Sequence, residues 1–139
     1  MIGTQDQDAF VSRSVIALVT VVRSSGSPST SMVSFARAGD RLFFTTTLDR
    51  LKGRALARDP RCSLTILNPH EPWSFVSVDG AVVIHRDNPS ELRALILDSA
   101  GHPDYPWTRE EIEPLLVAPG RAMFELTPQR VTGVVLPRG

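Results

Sequence analysis

Two cations occupy positions that a helix disfavours. Segment 41–55 reads RLFFTTTLDRLKGRA, and its Arg50 and Lys52 fall in the first turn of a helix that Asp49 is expected to open. The backbone there already carries a partial positive charge and orphan N–H groups. A cation added at that end is unfavourable by a few tenths of a kcal/mol unless an anion sits beside it. Lys52 is also the only lysine among 15 basic residues. Two readings follow. One is a phosphate site built from threonine hydroxyls, a helix N-terminus, Arg50 and Lys52; the other is a solvated helix face. Spacing alone leaves both open.

Little else in the chain has the spacing of a reaction centre. His70, His85 and His102 show no metal-ligand spacing, and Cys62 is the only cysteine. The phosphate-binding glycine motifs and the GxSxG nucleophile turn are absent. No two carboxylates are set in environments that would separate them into acid and base. Trp73 begins a strand after a proline-rich loop and suits packing or a dimer contact, while Tyr105 in Tyr105-Pro106-Trp107 reads as a loop anchor that could also donate a proton. No catalytic residue is therefore assigned. If the protein is an enzyme, a bound cofactor must carry the chemistry.

The elements that would position these residues are mostly strands. Residues 5–12 suit a short helix, and the β-branched run 15–22 suits a strand buried on both faces. Residues 29–37 read as a second strand, and Gly39-Asp40 closes a hairpin onto a third at 41–47. On the helix that follows, Leu51, Ala55 and Leu56 share one face and Arg50, Arg54 and Arg58 another, before Asp59-Pro60 ends it. Residues 62–67 and 73–79 are the next strands, the latter with a phase slip at Phe75-Val76 that suggests a bulge, continuing through 81–84. Asn88-Pro89-Ser90-Glu91 and Thr108-Arg109-Glu110-Glu111 both read as helix starts, with Asn88 and Thr108 as caps. Residues 122–126 and 131–136 finish the chain as two strands. Six or seven strands with three or four short helices inserted predict a mainly β (α+β) fold, a small β-barrel in a single domain over residues 1–139.

Totals bound the function. Fifteen basic and fifteen acidic residues give zero formal charge, which argues against a general nucleic-acid binder. No stretch approaches 18 apolar residues, and the first ten residues lack the basic region and apolar core of a signal peptide. A cytoplasmic protein with no membrane anchor is expected.

Several short matches keep their order and spacing. Pro28-x-x-Ser31-x-Val33-x-Phe35, Gly39-Asp40-Arg41-Leu42-x-Phe44-Thr45-Thr46, Arg50-x-Lys52, Leu56-x-x-Asp59-Pro60-Arg61-x-Ser63, Pro72-Trp73 and Val78-x-Gly80 together resemble the split β-barrel flavin and deazaflavin oxidoreductases, relatives of pyridoxamine 5′-phosphate oxidase. Leu51 separates Arg50 from Lys52, and this spacing is similar to the branch that uses the deazaflavin F420. The chain departs from that branch at Ala55, where an Asn is frequent, and its VVLPRG ending lacks the oxidase's terminal signature.

The resemblance implies a six- to seven-stranded split β-barrel of the FMN-binding type. It implies that Ser31, Met32, Val33 and Ser34 flank the tricyclic ring with their backbone groups, and that Thr45 and Thr46 continue that wall. Arg50 and Lys52, with Leu51 between them, would hold the ribityl phosphate, and Arg58 would reach toward the glutamyl tail. Trp73 would close the site from the other subunit of a homodimer. The activity implied is hydride transfer from reduced coenzyme F420 to a conjugated small molecule such as an enone, quinone or bilin. An FMN-dependent oxidase or reductase is the alternative within the fold, and a non-catalytic cofactor, haem or bilin binder the alternative outside enzymes. The loops 68–72 and 102–107 are expected to form the wall opposite the ring.

Overall fold

The computed structural model describes residues 1–138. Its strands are β1 (Ile16–Val22), β2 (Pro28–Ser34), β3 (Ala36–Ala38), β4 (Arg41–Thr47), β5 (Arg61–Leu67), β6 (Phe75–His85) and β7 (Arg121–Val134). The helices are α1 (Gln5–Ser12), α2 (Leu51–Arg58), α3 (Ser90–Ser99) and α4 (Arg109–Leu116). All seven strands join one sheet in the order β2-β1-β5-β6-β7-β4-β3, and every neighbouring pair is antiparallel.

That order forces the sheet to curl. β2 and β3 lie at opposite edges, yet only Phe35 separates them in the chain. Laid flat, six inter-strand steps would hold the edges about 29 Å apart, whereas Cα atoms two residues apart reach only about 7 Å. The sheet therefore closes on itself as a split β-barrel, with β2 lying against β4 across the seam. Among the described residues no β2–β4 ladder forms there. The expected strand over residues 29–37 is thus two strands, broken at Phe35 because its halves pair with different partners.

The barrel interior is filled by alternate residues: Ala17, Val19 and Val21 from β1, Leu64 and Ile66 from β5, Val76 and Val78 from β6. Phe44 and Phe124 face each other across the β4–β7 ladder with rings stacked 5.2 Å apart. Phe10 and Val11 of α1, together with Ala55 and Leu56 of α2, belong to the same core. A second core lies outside the sheet, where Phe43 and Met123 meet Ile96 of α3, Ile112 and Leu116 of α4, and Tyr105. The adjacent Phe43 and Phe44 thus face different cores, so β4 is the strand buried on both faces. β1, expected in that role, alternates between buried and half-buried residues.

Several boundaries move for identifiable reasons. The bulge falls at Asp79/Gly80 rather than Phe75-Val76. The extra residue there is Gln129 on β7, and a Cβ at Gly80 would lie 2.4 Å from the Thr127 carbonyl oxygen, so β7 packs too tightly against Gly80 for a side chain. β6 begins after Trp73, and the two expected terminal strands are one, β7. Thr108 caps α4 through the expected reciprocal bonds with Glu111. Asn88 does not cap α3: Pro89 takes that place, and Asn88, at φ 52°, donates instead to the Leu116 carbonyl at 2.7 Å. Likewise α2 starts one residue later than expected, with Arg50 rather than Asp49 at its N-terminal boundary.

Because Phe35 is buried at the turn that closes the barrel (2% exposed), Phe35→Ala is expected to cost about 3–5 kcal/mol. Urea unfolding would show this as a lower midpoint; a loss under about 1 kcal/mol would mean the seam does not depend on this side chain.

Candidate functional site

The corner where β4 ends and α2 begins gathers the candidate cations. Leu48 N–H donates to the Gly120 carbonyl at 2.9 Å and Arg50 N–H to the Thr47 carbonyl at 3.2 Å, tying the turn to the start of β7. The ladder sets Thr47 opposite Arg121. α2 docks closely on the end of β4, since a Cβ at Gly53 would fall 2.4 Å from the Thr47 carbonyl oxygen. Arg50, at the N-cap position, makes no side-chain capping bond.

Arg50, Lys52 and Arg121 form no ion pair among the described residues. Burial, then the charges of Arg50 and Arg121, hold the Lys52 ammonium below the usual lysine range. Burial and the Arg50 charge act on Arg121 in the same direction. The nearby Asp49 is exposed, and hydrogen bonding from Thr47 keeps its carboxyl below the usual range. Three mutually repelling cations, two of them half-buried, do not behave as a solvated helix face. They suit an anion.

The threonines contribute less than their hydroxyls suggest. Thr45 Oγ1 donates to the Ala122 carbonyl at 2.8 Å, and Thr46 is buried. The Thr47 hydroxyl bonds to Asp49, so the charged groups of the corner are guanidinium and ammonium, with Thr45 and Thr46 forming part of the β4 wall. Ala55 is 2% exposed in the main core, so an asparagine there would have to bury its amide. Arg58 donates to the Val22 carbonyl at 3.1 Å, pinning the far end of α2 to β1.

Across the seam, the open edge of β2 supplies polar backbone. Phe35 N–H donates to the Val15 carbonyl and Arg23 N–H to the Ser27 carbonyl, which sets the phase of the β1–β2 ladder. By antiparallel alternation Ser31 and Val33 direct both backbone groups at β1, while Met32 and Ser34 turn theirs toward the seam. Val33 packs its side chain on the core, and Met32 is 65% exposed. Continuing the Ala36↔Phe43 register by two residues would bring Ser34 toward Thr45. Ser34 Oγ donates to Tyr105 Oη at 3.1 Å, and burial raises the Tyr105 phenol above its ordinary range.

The two loops expected to form one wall do meet. His70 Nε2 and Asp104 Oδ1 lie 2.9 Å apart, joining residues 68–72 to residues 102–107. Beside them a cavity of about 290 Å³ is lined by Ile16, Met32, Leu67, Pro69 and Pro72. Trp73 projects from the neighbouring turn with 82% of its surface exposed. A larger cavity of about 720 Å³ lies elsewhere, between α1, β3 and α3. Cys62 is buried, and burial followed by the Asp79 charge pushes its thiol up to about 12, so it is inert at neutral pH. No cluster of three metal-ligating residues occurs among the described residues, and no helix is long and apolar enough to cross a membrane.

The structure thus sets Arg50, Leu51 and Lys52 at one corner, Thr45 and Thr46 on the β4 wall, and Ser31 to Ser34 on the strand facing it. Arg121 was not legible as a member of the corner. It stands 71 positions after Arg50, and only the β4–β7 register reveals its place. The site can hold an anion at one end and present main-chain donors and acceptors along its length.

Comparison with known proteins bears on this geometry. Residues 4–135 match the family model described as Pyridoxamine 5′-phosphate oxidase. The comparison with curated proteins gave no match. Among solved structures, an F420 reductase superimposes with a TM-score of 0.74 at 23% identity, covering 94% of this chain and 98% of that one. The haem storage protein HutZ from Vibrio cholerae gives 0.72 at 16% identity, covering 95% and 94%. A haem-binding protein from Mycobacterium smegmatis gives 0.71 at 22%, covering 96% of this chain but 55% of its own.

The close packing of Gly53 generates a test of the corner. Gly53→Ala is expected to push α2 off the end of β4 and lower stability by about 1–3 kcal/mol, the usual range for overpacking. An unchanged melting temperature would show that α2 is not held by this contact.

Proposed function

The chain belongs to the pyridoxamine 5′-phosphate oxidase family, and on that premise we propose that it is an F420-dependent oxidoreductase, acting as a homodimer on a conjugated small-molecule acceptor. The observation that carries this reading is the corner of cations around Arg50 and Lys52, spaced by Leu51 and in no salt bridge among the described residues, at one end of a seam with open main chain. An anionic arm fits that corner, and a planar heterocycle with polar edges fits beside Met32 and Ser34. The F420 reductase fold, matched over nearly the full length of both chains, supports the same reading.

When bound, the reduced deazaflavin supplies a hydride to an electrophilic carbon of the acceptor. The chain's own part is positional. Arg50 and Lys52 anchor the phosphate, and the Met32 and Ser34 backbone groups fix the edge of the ring. The apolar wall of Ile16, Met32, Leu67, Pro69 and Pro72 keeps water from the acceptor. A dimer is supported by the exposed apolar side chains Met32, Trp73, Phe75, Val134 and Leu136, which a second copy would cover.

Titration of the protein with F420 and with FMN, followed by Trp73 and Trp107 fluorescence, tests the cofactor. Micromolar or tighter F420 affinity with negligible FMN binding is expected; a preference for FMN would overturn the assignment. Lys52→Ala should weaken F420 binding by about 1.5–3 kcal/mol with the fold retained. Affinity should also fall with rising pH. Lys52 must be protonated to bind an anion, and its depressed pKa puts that loss below the ordinary lysine range. A profile that stays flat through the ordinary lysine range would remove Lys52 from the site.

A further inference from the structure

The cavity of about 720 Å³ between α1, β3 and α3 shares no lining residue with the apolar wall beside the seam. Its apolar surface comes from Val11, Val15, Phe35 and Leu95. Along one side runs a free edge of the sheet, because β3 has β4 as its single neighbour. The two-residue turn at Gly39-Asp40 makes Ala38 and Arg41 a hydrogen-bonded pair. By antiparallel alternation Ala36 and Ala38 then direct their peptide groups at β4, and Arg37, which lines the cavity, turns its N–H and C=O the other way. Neither of these two groups has a partner among the described residues. A half-buried peptide group left unpaired is a position where a ligand can complete the ladder.

The charges around the cavity are matched except at Asp98. The Arg37 guanidinium is held by Asp8, Ser12 and the Gly39 carbonyl, and it lies 3.6 Å from Asp40, which also takes the amino-terminal ammonium at 2.7 Å. Ser14 and Ser99 donate to main-chain carbonyls, and His102 Nδ1 accepts from Asp104 N–H at 3.0 Å. The Asp98 carboxylate, exposed at the rim, joins no salt bridge among the described residues. It also stands in the last turn of α3, where no basic residue accompanies it. Helix carbonyls already make that end partly negative, so an acid there is unfavourable by a few tenths of a kcal/mol unless a cation sits beside it.

We propose that this cleft binds a small extended amide bearing a free ammonium group, an aminoacyl amide in chemical class, independently of any cofactor in the seam. The ligand's amide would pair with the N–H and C=O of Arg37 as one added rung on β3, its ammonium would neutralise Asp98, and its side chain would lie on the apolar surface. The size of the cleft falls in the range of small-molecule sites. β3 spans only Ala36–Ala38 and offers one residue's peptide groups, so it templates one rung rather than a long strand. A ligand carboxylate at the same rim would be repelled by Asp98, which selects the amide over the free acid.

Leucyl-alaninamide serves as the probe and its N-acetyl form as the uncharged control, titrated into ¹⁵N-labelled protein and followed by amide resonances. The probe is expected to bind at millimolar concentration or tighter, to shift the Arg37 and Ser99 amides, and to slow hydrogen exchange at the Arg37 amide, which exchanges readily in the free protein. The acetylated control and the variant Asp98→Asn should each weaken binding at least fivefold. Asp98 is exposed, so the variant's melting temperature should match the parent's. The proposal is overturned if the probe leaves the Arg37 amide unshifted, or if that amide is already protected without ligand, since the edge would then be closed. Equal affinity for the charged and acetylated probes, or for parent and Asp98→Asn, would overturn it as well.

Discussion

The single residue between β2 and β3 governs the architecture. With two sheet edges tied through Phe35, the only arrangement open to seven strands is a curled surface, and the closure is incomplete because no ladder joins the free edge of β2 to β4 among the described residues. Phe35 N–H donates to Val15 while the next residue, Ala36, already pairs with Phe43 on the other side. The chain therefore splits the barrel where it joins it. The seam that results leaves main-chain groups at the β2 edge without ladder partners among the described residues, and it runs beside the corner where Arg50, Lys52 and Arg121 gather.

That corner depends on packing as much as on charge. A helix that opened with Arg50 and Lys52 in free solution would be weakened by its own dipole. Here the cost is offset by Ala55 and Leu56, which place α2 in the main core, and by the contact of Gly53 with the β4 backbone. Apolar burial at one face of α2 thus keeps an electrostatically unfavourable arrangement in place at its start. The same trade holds for Arg121, whose lowered pKa reflects burial and repulsion that the surrounding ladder over-determines.

What the sequence showed, and what it hid, divides along the range of the interactions. Arg50 and Lys52 were legible because their conflict with the helix is local, and the Gly39-Asp40 hairpin because a two-residue turn fixes it. The Thr108 capping box was legible for the same reason. The break at Phe35 was not, since apolar alternation continues smoothly from Val33 into Phe35 and nothing local shows that the strand changes partners. Asn88 had the chemistry of a cap, but a tertiary acceptor, the Leu116 carbonyl, competed for its side chain. The engagement of the Thr45 hydroxyl was hidden because its acceptor, Ala122, lies on β7.

The parity of β2 bears on how such a site tolerates drift. Alternate residues turn their peptide groups outward whatever side chain they carry, so a point substitution at Met32 or Ser34 leaves the pattern of donors and acceptors along the seam intact. Insertion or deletion of one residue would instead exchange the outward set for the inward one. A binding surface written in peptide groups can therefore survive extensive replacement of its side chains while remaining intolerant of any change in length.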